Sequence, residues 1–475
     1  MISLKIHFIA LFLCFFFLIG FVSSAFSQQY SLYNSRTLFD VFENPSQKAF
    51  YTDTTRKYAF NFLFPTISLN TSFAGPGQSI FKSRVFAGTY NPDEIILGEN
   101  KVNTAAVSVN TYLAMFRIFR QEKYNIEMGF SWQMRNDGYA KITNETLGIQ
   151  DKYENLPDGY YQNIFNNKGF NQSYHQFGFT YREDYDKRLS LGAKFSLLSG
   201  ITYHQLIVDR SDLTIYNDVL DEHSTSFKGR LRSSFDVTNN VDSNIIYPTF
   251  KHPGLAISAS ASYKFKGGWF LLGNLKDLGF IKWNKKSYTY TYDEEDININ
   301  NSSNNQLTND LKQMIEEGES QGGFITPVNS KIEVLLNKDF GNYQPNLILS
   351  KNIFYGGGDV ALINNYRYTD LVFTLSANYN PDKGVYAGGQ FMIKTPNTEF
   401  FIGSDQILQT FYTTRSFSSE SVAGKGYAGA SLYLGMAFKF GPVIEHPANA
   451  TSMPGFPGEI HSGGQKPGFF KRLFD

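Results

Sequence analysis

Residues 124–135, YNIEMGFSWQMR, set Tyr124, Ile126, Met128, Phe130, Trp132 and Met134 in unbroken alternation with Asn125, Glu127, Gly129, Ser131, Gln133 and Arg135. Period two over that length specifies a strand with one apolar and one polar face. Soluble strands average about five to six residues, whereas a tilted strand crossing a bilayer needs roughly nine to eleven. A charged Glu127 between large hydrophobes suits a wall with lipid outside and water inside. A solvated antiparallel strand explains one such segment, not many.

The pattern recurs. Phe177, Phe179 and Tyr181 alternate with polar residues, and so do Leu189, Leu191, Ala193, Phe195 and Leu197. Residues 255–265 and 269–283 form a third pair, shorter segments follow between 331 and 408, and 430–440 is the last. Val107, Val109, Thr111, Leu113 and Met115 belong to the strand before the opening segment. The total is about fourteen strands, with ends uncertain by roughly two to four residues. Turns near 121–123, 187, 267, 341, 369 and 396–397 are short, while 74–103, 136–172, 200–253, 284–330 and 410–426 are long; only 355–358 and 380–384 break the trend. Short turns at one end and long loops at the other specify an all-β transmembrane antiparallel β-barrel over 58–440, its long loops extracellular. Closure also removes every exposed edge.

Targeting fits. Lys5, the apolar run 9–22 and Ala25-Phe26-Ser27 read as a signal peptide over 1–27, so the mature chain is expected to begin at Gln28. The one cysteine, Cys14, leaves with it, which excludes thiol chemistry and disulfides. The full chain carries 43 basic and 43 acidic residues; losing Lys5 leaves 42 against 43. That balance gives no support to nucleic-acid binding. Residues 441–475, with Pro442, Pro447, Pro454, Pro457, Pro467 and many glycines, read as a periplasmic tail.

Residues 28–57 lack periodicity and contain Phe42-Glu43-Asn44-Pro45-Ser46. This Asn-Pro-small turn resembles the N-terminal hatch of long-chain fatty-acid-transporter-type barrels; a plain periplasmic lead-in is the other reading. Pro65, which cannot donate to a ladder, marks a kink or bulge in the first strand. Glu127, Arg135, Lys194, Lys264 and Lys439 fall on polar faces as lumen-facing charges. They either line a polar path or pair with one another and fill the interior.

The most specific segment ends a strand: Asp277-Leu278-Gly279-Phe280-Ile281-Lys282-Trp283. With the Tyr-rich acidic loop after it and Thr326-Pro327-Val328-Asn329-Ser330-Lys331, it resembles a family of Bacteroidota outer-membrane barrels of unknown function. The chain departs from that pattern at Pro327-Val328-Asn329, where Leu-Pro is expected. The resemblance implies location and architecture, and kinship with fatty-acid-transporter-like and PorV-type barrels, but no activity. In the loop, Leu307, Leu311, Met314 and Ile315 fall at helical spacing.

Chemistry is sparse. Gly318-Glu319-Ser320-Gln321-Gly322 matches G-x-S-x-G but follows a helix and precedes a loop, the wrong context for a nucleophile elbow. His175, His204, His223, His252, His446 and His461 show no metal spacing. His175 lies on an outward register, but no serine partner can be named. No enzyme activity, metal or cofactor is expected. Two functions remain: hatch-gated transport of a small solute, an apolar one favoured, or a structural barrel that holds a periplasmic or surface protein partner. Outer-membrane lipid surrounds either.

Overall fold

The structure is a computed structural model that describes residues 30–51, 53–61, 64–78, 80, 96–120, 125–148, 159–215, 223–236, 247–299, 318–381, 384–416 and 428–444. The signal segment, the turn at 121–124, the helical spacing at 307–315 and the tail beyond 444 lie outside the described residues.

Fourteen antiparallel strands close into a barrel. Strand β1 has two pieces, Arg56–Phe60 and Thr66–Ala74. There follow β2 (Val102–Arg120), β3 (Ile126–Thr143), β4 (Lys168–Asp184), β5 (Leu189–Ile215), β6 (Pro253–Lys264) and β7 (Trp269–Lys282). The second half is β8 (Lys331–Lys338), β9 (Tyr343–Asn352), β10 (Gly358–Tyr368), β11 (Leu371–Asn380), β12 (Gly384–Lys394), β13 (Thr398–Ser404) and β14 (Ala428–Val443). Each pairs with its sequence neighbour, and β14 pairs with both pieces of β1 to close the ring.

The alternation that defined the strands also sorts their faces. Phe130, Phe179, Phe195, Ile257, Leu362, Leu375 and Leu432 point outward and are exposed, while Ser131, Thr180, Lys194, Ser258 and Ser431 point inward and are buried. A large apolar surface outside and a polar filling inside is the inverse of a soluble sandwich.

Three departures from the sequence pattern have physical causes. Between its two pieces β1 loses step with β2: the ladder runs from Phe60 opposite Phe116 to Thr66 opposite Tyr112. Pro65 has no N–H to give. The Asn61 side chain fills in, accepting from Met115 N at 2.6 Å and donating to Tyr112 O at 3.3 Å. This irregularity moves Met115 out of phase with Val107 and Val109, so Met115, Arg117 and Phe119 all point inward and are buried.

Secondly, parts of the expected long loops are strand. β3 runs on to Thr143 and β5 to Ile215, and His223–Ser233 and Tyr288–Ile299 add a ribbon to β5 at the long-loop end. There the strands leave the lipid belt, so neither face must be apolar and the alternation fades.

Thirdly, the expected loop after β13 begins as a helix, α2 (Ile407–Ser416). β13 stops at Ser404, which exposes the edge of β14. Thr413 Oγ1 donates to Gly429 O at 2.6 Å and Thr410 Oγ1 to Ser431 O at 3.3 Å, while Gly429 N and Ser431 N donate back to the same hydroxyls. Two threonines one helical turn apart thus replace a missing strand.

Candidate functional site

The barrel is not empty. Residues 30–50 lie inside it, nearly all buried. Their one regular helix is α1 (Leu38–Glu43), with Thr37 as N-cap accepting from Asp40 N at 3.2 Å. Pro45 sits just past its end, where the lost N–H and fixed φ stop a helix. Leu38, Val41 and Phe42 fall on one face and pack with Tyr112, Met115, Met392, Phe401 and Tyr433 of the wall. Six residues span only about 9 Å, yet both ends reach charged wall residues. Leu38 N donates to Glu399 Oε2 at 2.8 Å, a carboxylate at a helix N-terminus. At the other end Glu43 pairs with Lys276 and accepts from Tyr112 Oη at 2.6 Å and Asn110 Nδ2 at 3.0 Å.

The Asn44-Pro45-Ser46 turn is held equally closely. Asn274 Nδ2 donates to Asn44 Oδ1 at 3.0 Å, Ser46 N donates to Ser260 Oγ at 2.6 Å, and Ser46 O accepts from Arg182 Nε at 3.1 Å. Gly192 is required here. A Cβ on it would lie 2.2 Å from the Pro45 carbonyl carbon. Phe42 makes a similar demand on Gly129, whose added Cβ would meet its ring tip at 2.9 Å.

A bulge in β7 explains the Asp-Leu-Gly-Phe-Ile-x-Trp segment. Leu275 faces Ala259 and Leu278 faces Ile257, so Lys276 and Asp277 together oppose Ser258. Asp277 takes φ 49°, a left-handed conformation unusual outside glycine. The bulge turns both side chains inward and switches the phase of the strand. Beyond it Ile281 and Trp283 point in and are buried, while Phe280 is exposed. Asp277 pairs with Arg135, accepts from Gln176 Nε2 at 2.8 Å and Ser258 Oγ at 3.2 Å, and lies 3.8 Å from Lys194 Nζ. Trp283 roofs the lumen: its Nε1 donates to Thr326 Oγ1 at 2.8 Å, and its ring packs on Tyr203, His252 and Phe324.

Of the five predicted lumen charges, four are paired. Glu127 binds Arg117 at 2.9 Å and accepts from Ala49 N; Arg135 and Lys194 share Asp277. Lys439 binds Glu399 at 2.8 Å and donates to Ala49 O at 2.9 Å. Lys264 is the exception, exposed at the short-turn end. The first four thus sit beside an opposite charge. The sequence pattern did not single out the residues that tie the segment down: Arg117, which donates to Val41 O at 3.0 Å, Glu333, which accepts from Tyr33 Oη at 3.1 Å, Lys276 and Glu399. Arg117 was hidden by the phase shift and Lys276 by the bulge.

Two carboxyls of α1 are driven apart by their surroundings. Burial pushes the Glu43 carboxyl up, but Lys276, Arg135 and Lys194 outweigh it and bring it down to about 2. Burial dominates at Asp40 and raises it to about 6, although Arg36 N and Asn44 donate to it. A 370 Å3 cavity lies at the long-loop end, lined by Phe73, Ala105, Val107, Ala140, Phe170 and Ala428 among others. Ser320 sits on the short strand Glu319–Gln321, with its Oγ donating to Thr289 O. His175 is buried and accepts from Trp132 Nε1 at 3.3 Å.

These features define a class: a fourteen-stranded, outer-membrane-type antiparallel barrel with its own N-terminal segment packed into the lumen. Residues 45–405 match the Family of unknown function (DUF5723), and the chain belongs to that family. No curated protein matches it. Among solved structures it is similar to a Pseudomonas aeruginosa FadL homologue at 8% identity, covering 88% of this chain and 98% of that one, with a TM-score of 0.40. The Ralstonia pickettii toluene transporter TbuX (8% identity, 84% and 93% covered, TM-score 0.38) is another. The Pseudomonas putida toluene transporter TodX (8% identity, 90% and 97% covered, TM-score 0.35) is a third. Overlaps this loose carry no argument about function.

Proposed function

We propose that the protein is a multi-pass barrel of the outer membrane, its short turns in the periplasm, and that residues 30–50 are a hatch gating passage of a small solute. The observation that carries this reading is the hatch itself. A stretch of chain outside the wall fills a lumen too wide for the wall's own side chains to fill. It is held by hydrogen bonds and ion pairs that water can replace, not by a covalent tie. The cavity at the long-loop end, largely apolar in its lining, favours an apolar solute. A second reading rests on a specific observation: Arg117–Glu127, Arg135–Asp277, Lys276–Glu43 and Lys439–Glu399 fill the interior with matched charge. That suits a rigid barrel that presents loops to a protein partner.

A crosslink separates the two. Ser46 N lies 2.6 Å from Ser260 Oγ, so the two residues are neighbours, and a Ser46→Cys/Ser260→Cys pair in a mature chain otherwise free of cysteine is tested first for a disulfide by a gel shift that reduction reverses. In vesicles, the oxidised double variant is expected to stop uptake of a small apolar dye, and reduction to restore it. Uptake that is absent in every form, or indifferent to the crosslink, would favour the partner-holding barrel.

A further inference from the structure

We propose that the short-turn mouth of the barrel carries an anion site of the phosphate class, built jointly by the wall and the lumenal segment. A 410 Å3 cavity there is lined by Lys48, Lys187, Arg188 and Lys264, with Asn125, Asp184, Asp186 and Ser190. It exceeds ten times the roughly 30 Å3 that one water occupies in the liquid.

The cations outnumber the carboxylates, although Asp184 attracts both Lys48 and Lys264. None of the four side chains has a hydrogen bond or ion pair among the described residues. The two carboxylates are already engaged. Asp184 takes Arg182 Nη2 at 2.5 Å, Ser190 Oγ at 2.6 Å and Asn125 Nδ2 at 3.2 Å. Asp186 Oδ1 caps the turn, accepting from Arg188 N at 2.6 Å and Leu189 N at 2.7 Å. Positive charge therefore exceeds negative around a space open to the aqueous mouth.

In mid-lumen Arg117, Arg135, Lys194, Lys276 and Lys439 each meet a carboxylate, and Lys331 lies buried near Asp359 and Glu333; four cations gather around one space only at the mouth, among the described residues. Several ammonium groups and one guanidinium fork suit a multiply charged oxyanion better than a halide, because each oxygen can take its own charge-assisted bond. Lys48 belongs to the lumenal segment, two residues past Ser46, whereas Lys187, Arg188 and Lys264 belong to the wall. A bound anion would bridge the two and strengthen docking of the segment. This holds whether or not the barrel transports anything.

The test is titration calorimetry on the purified full-length protein in detergent, at fixed ionic strength and pH, with chloride as the baseline. One arm uses inorganic phosphate and the other glycerol 3-phosphate, a monoester attached to a larger group. Binding above the chloride baseline is expected, weakened at least tenfold in Lys48→Gln/Lys264→Gln while the folded band on unheated gels is kept. If that variant does not fold, Lys187→Gln on the exposed turn decides, with an expected loss of severalfold. Phosphate bound with the monoester excluded supports the site as one for the free ion; the monoester bound at least as tightly supports it as one for a larger phosphorylated group. No binding above chloride in either arm, or full-strength binding by the folded variants, overturns the proposal.

Discussion

Lys194 and Lys264 stand on inward registers of adjoining strands, and their fates differ. Lys194, in mid-lumen, is buried beside Asp277 in a network that includes Arg135 and Gln176. Lys264, at the short-turn mouth, faces a cavity lined by three other cations and fewer carboxylates. Desolvation separates them. A buried charge without a partner costs several kcal/mol, so mid-lumen favours matched sets. At the mouth, water screens the surplus, and charge can be kept for an ion.

Substitutions can break this contrast, the largest first. Asp277→Ala leaves Arg135 and Lys194 buried without their shared carboxylate and is expected to cost about 3–5 kcal/mol. Urea titration followed by gel mobility measures it. A loss below about 1 kcal/mol would mean that water reaches mid-lumen after all.

Next comes the outer face. Phe130 is 48% exposed on the lipid side, so Phe130→Arg is expected to cost about 2–4 kcal/mol if it lies near the midplane. Ser131→Arg has no easy escape either: Ser131 is 0% exposed in a filled lumen. A free pass for Ser131→Arg in the same assay would indicate an open, watery interior.

Glu43→Gln removes the charge that meets Lys276 and should weaken docking by about 1–3 kcal/mol. pH dissects the same helix. Glu43 falls from 4.5 to about 2 on folding, so its contribution is present above about 4.5 and lost as pH falls toward 2. Asp40 rises from 3.8 to about 6, so its contribution is complete below 3.8 and lost as pH climbs through 6. Accessibility of a cysteine placed at Ser46 should therefore rise on both sides of a minimum. Glu43→Gln should flatten the acid limb and Asp40→Asn the other; a profile unchanged in both variants would contradict these assignments. The smallest effect belongs to the mouth, where Lys264→Met should change stability by within about 0.5 kcal/mol.

The wall was legible because lipid outside and polar filling inside impose period two on almost every strand. Glu127, Arg135, Lys194 and Lys439 were placed inward from that pattern alone. What escaped were the phase breaks. Met115 and Arg117 follow an irregularity that answers Pro65 on the neighbouring strand, and Asp277 turns inward only through a bulge opposite Ser258. Such breaks involve two strands at once, so alternation within one strand does not reveal them. The rim ribbon and α2 were missed for another reason: outside the membrane belt the faces lose their contrast. Asn44-Pro45-Ser46 was visible as a turn, but its hold on Ser260, Arg182 and Asn274 depends on contacts more than a hundred residues away.

The central claim is that residues 30–50 close the lumen, and conductance in planar bilayers tests it most directly. The intact protein is expected to conduct little, and deletion of residues 40–51 to open a channel several times more conductive while the barrel still assembles. An intact protein that already conducts like an open porin, unchanged by the deletion, would contradict the account.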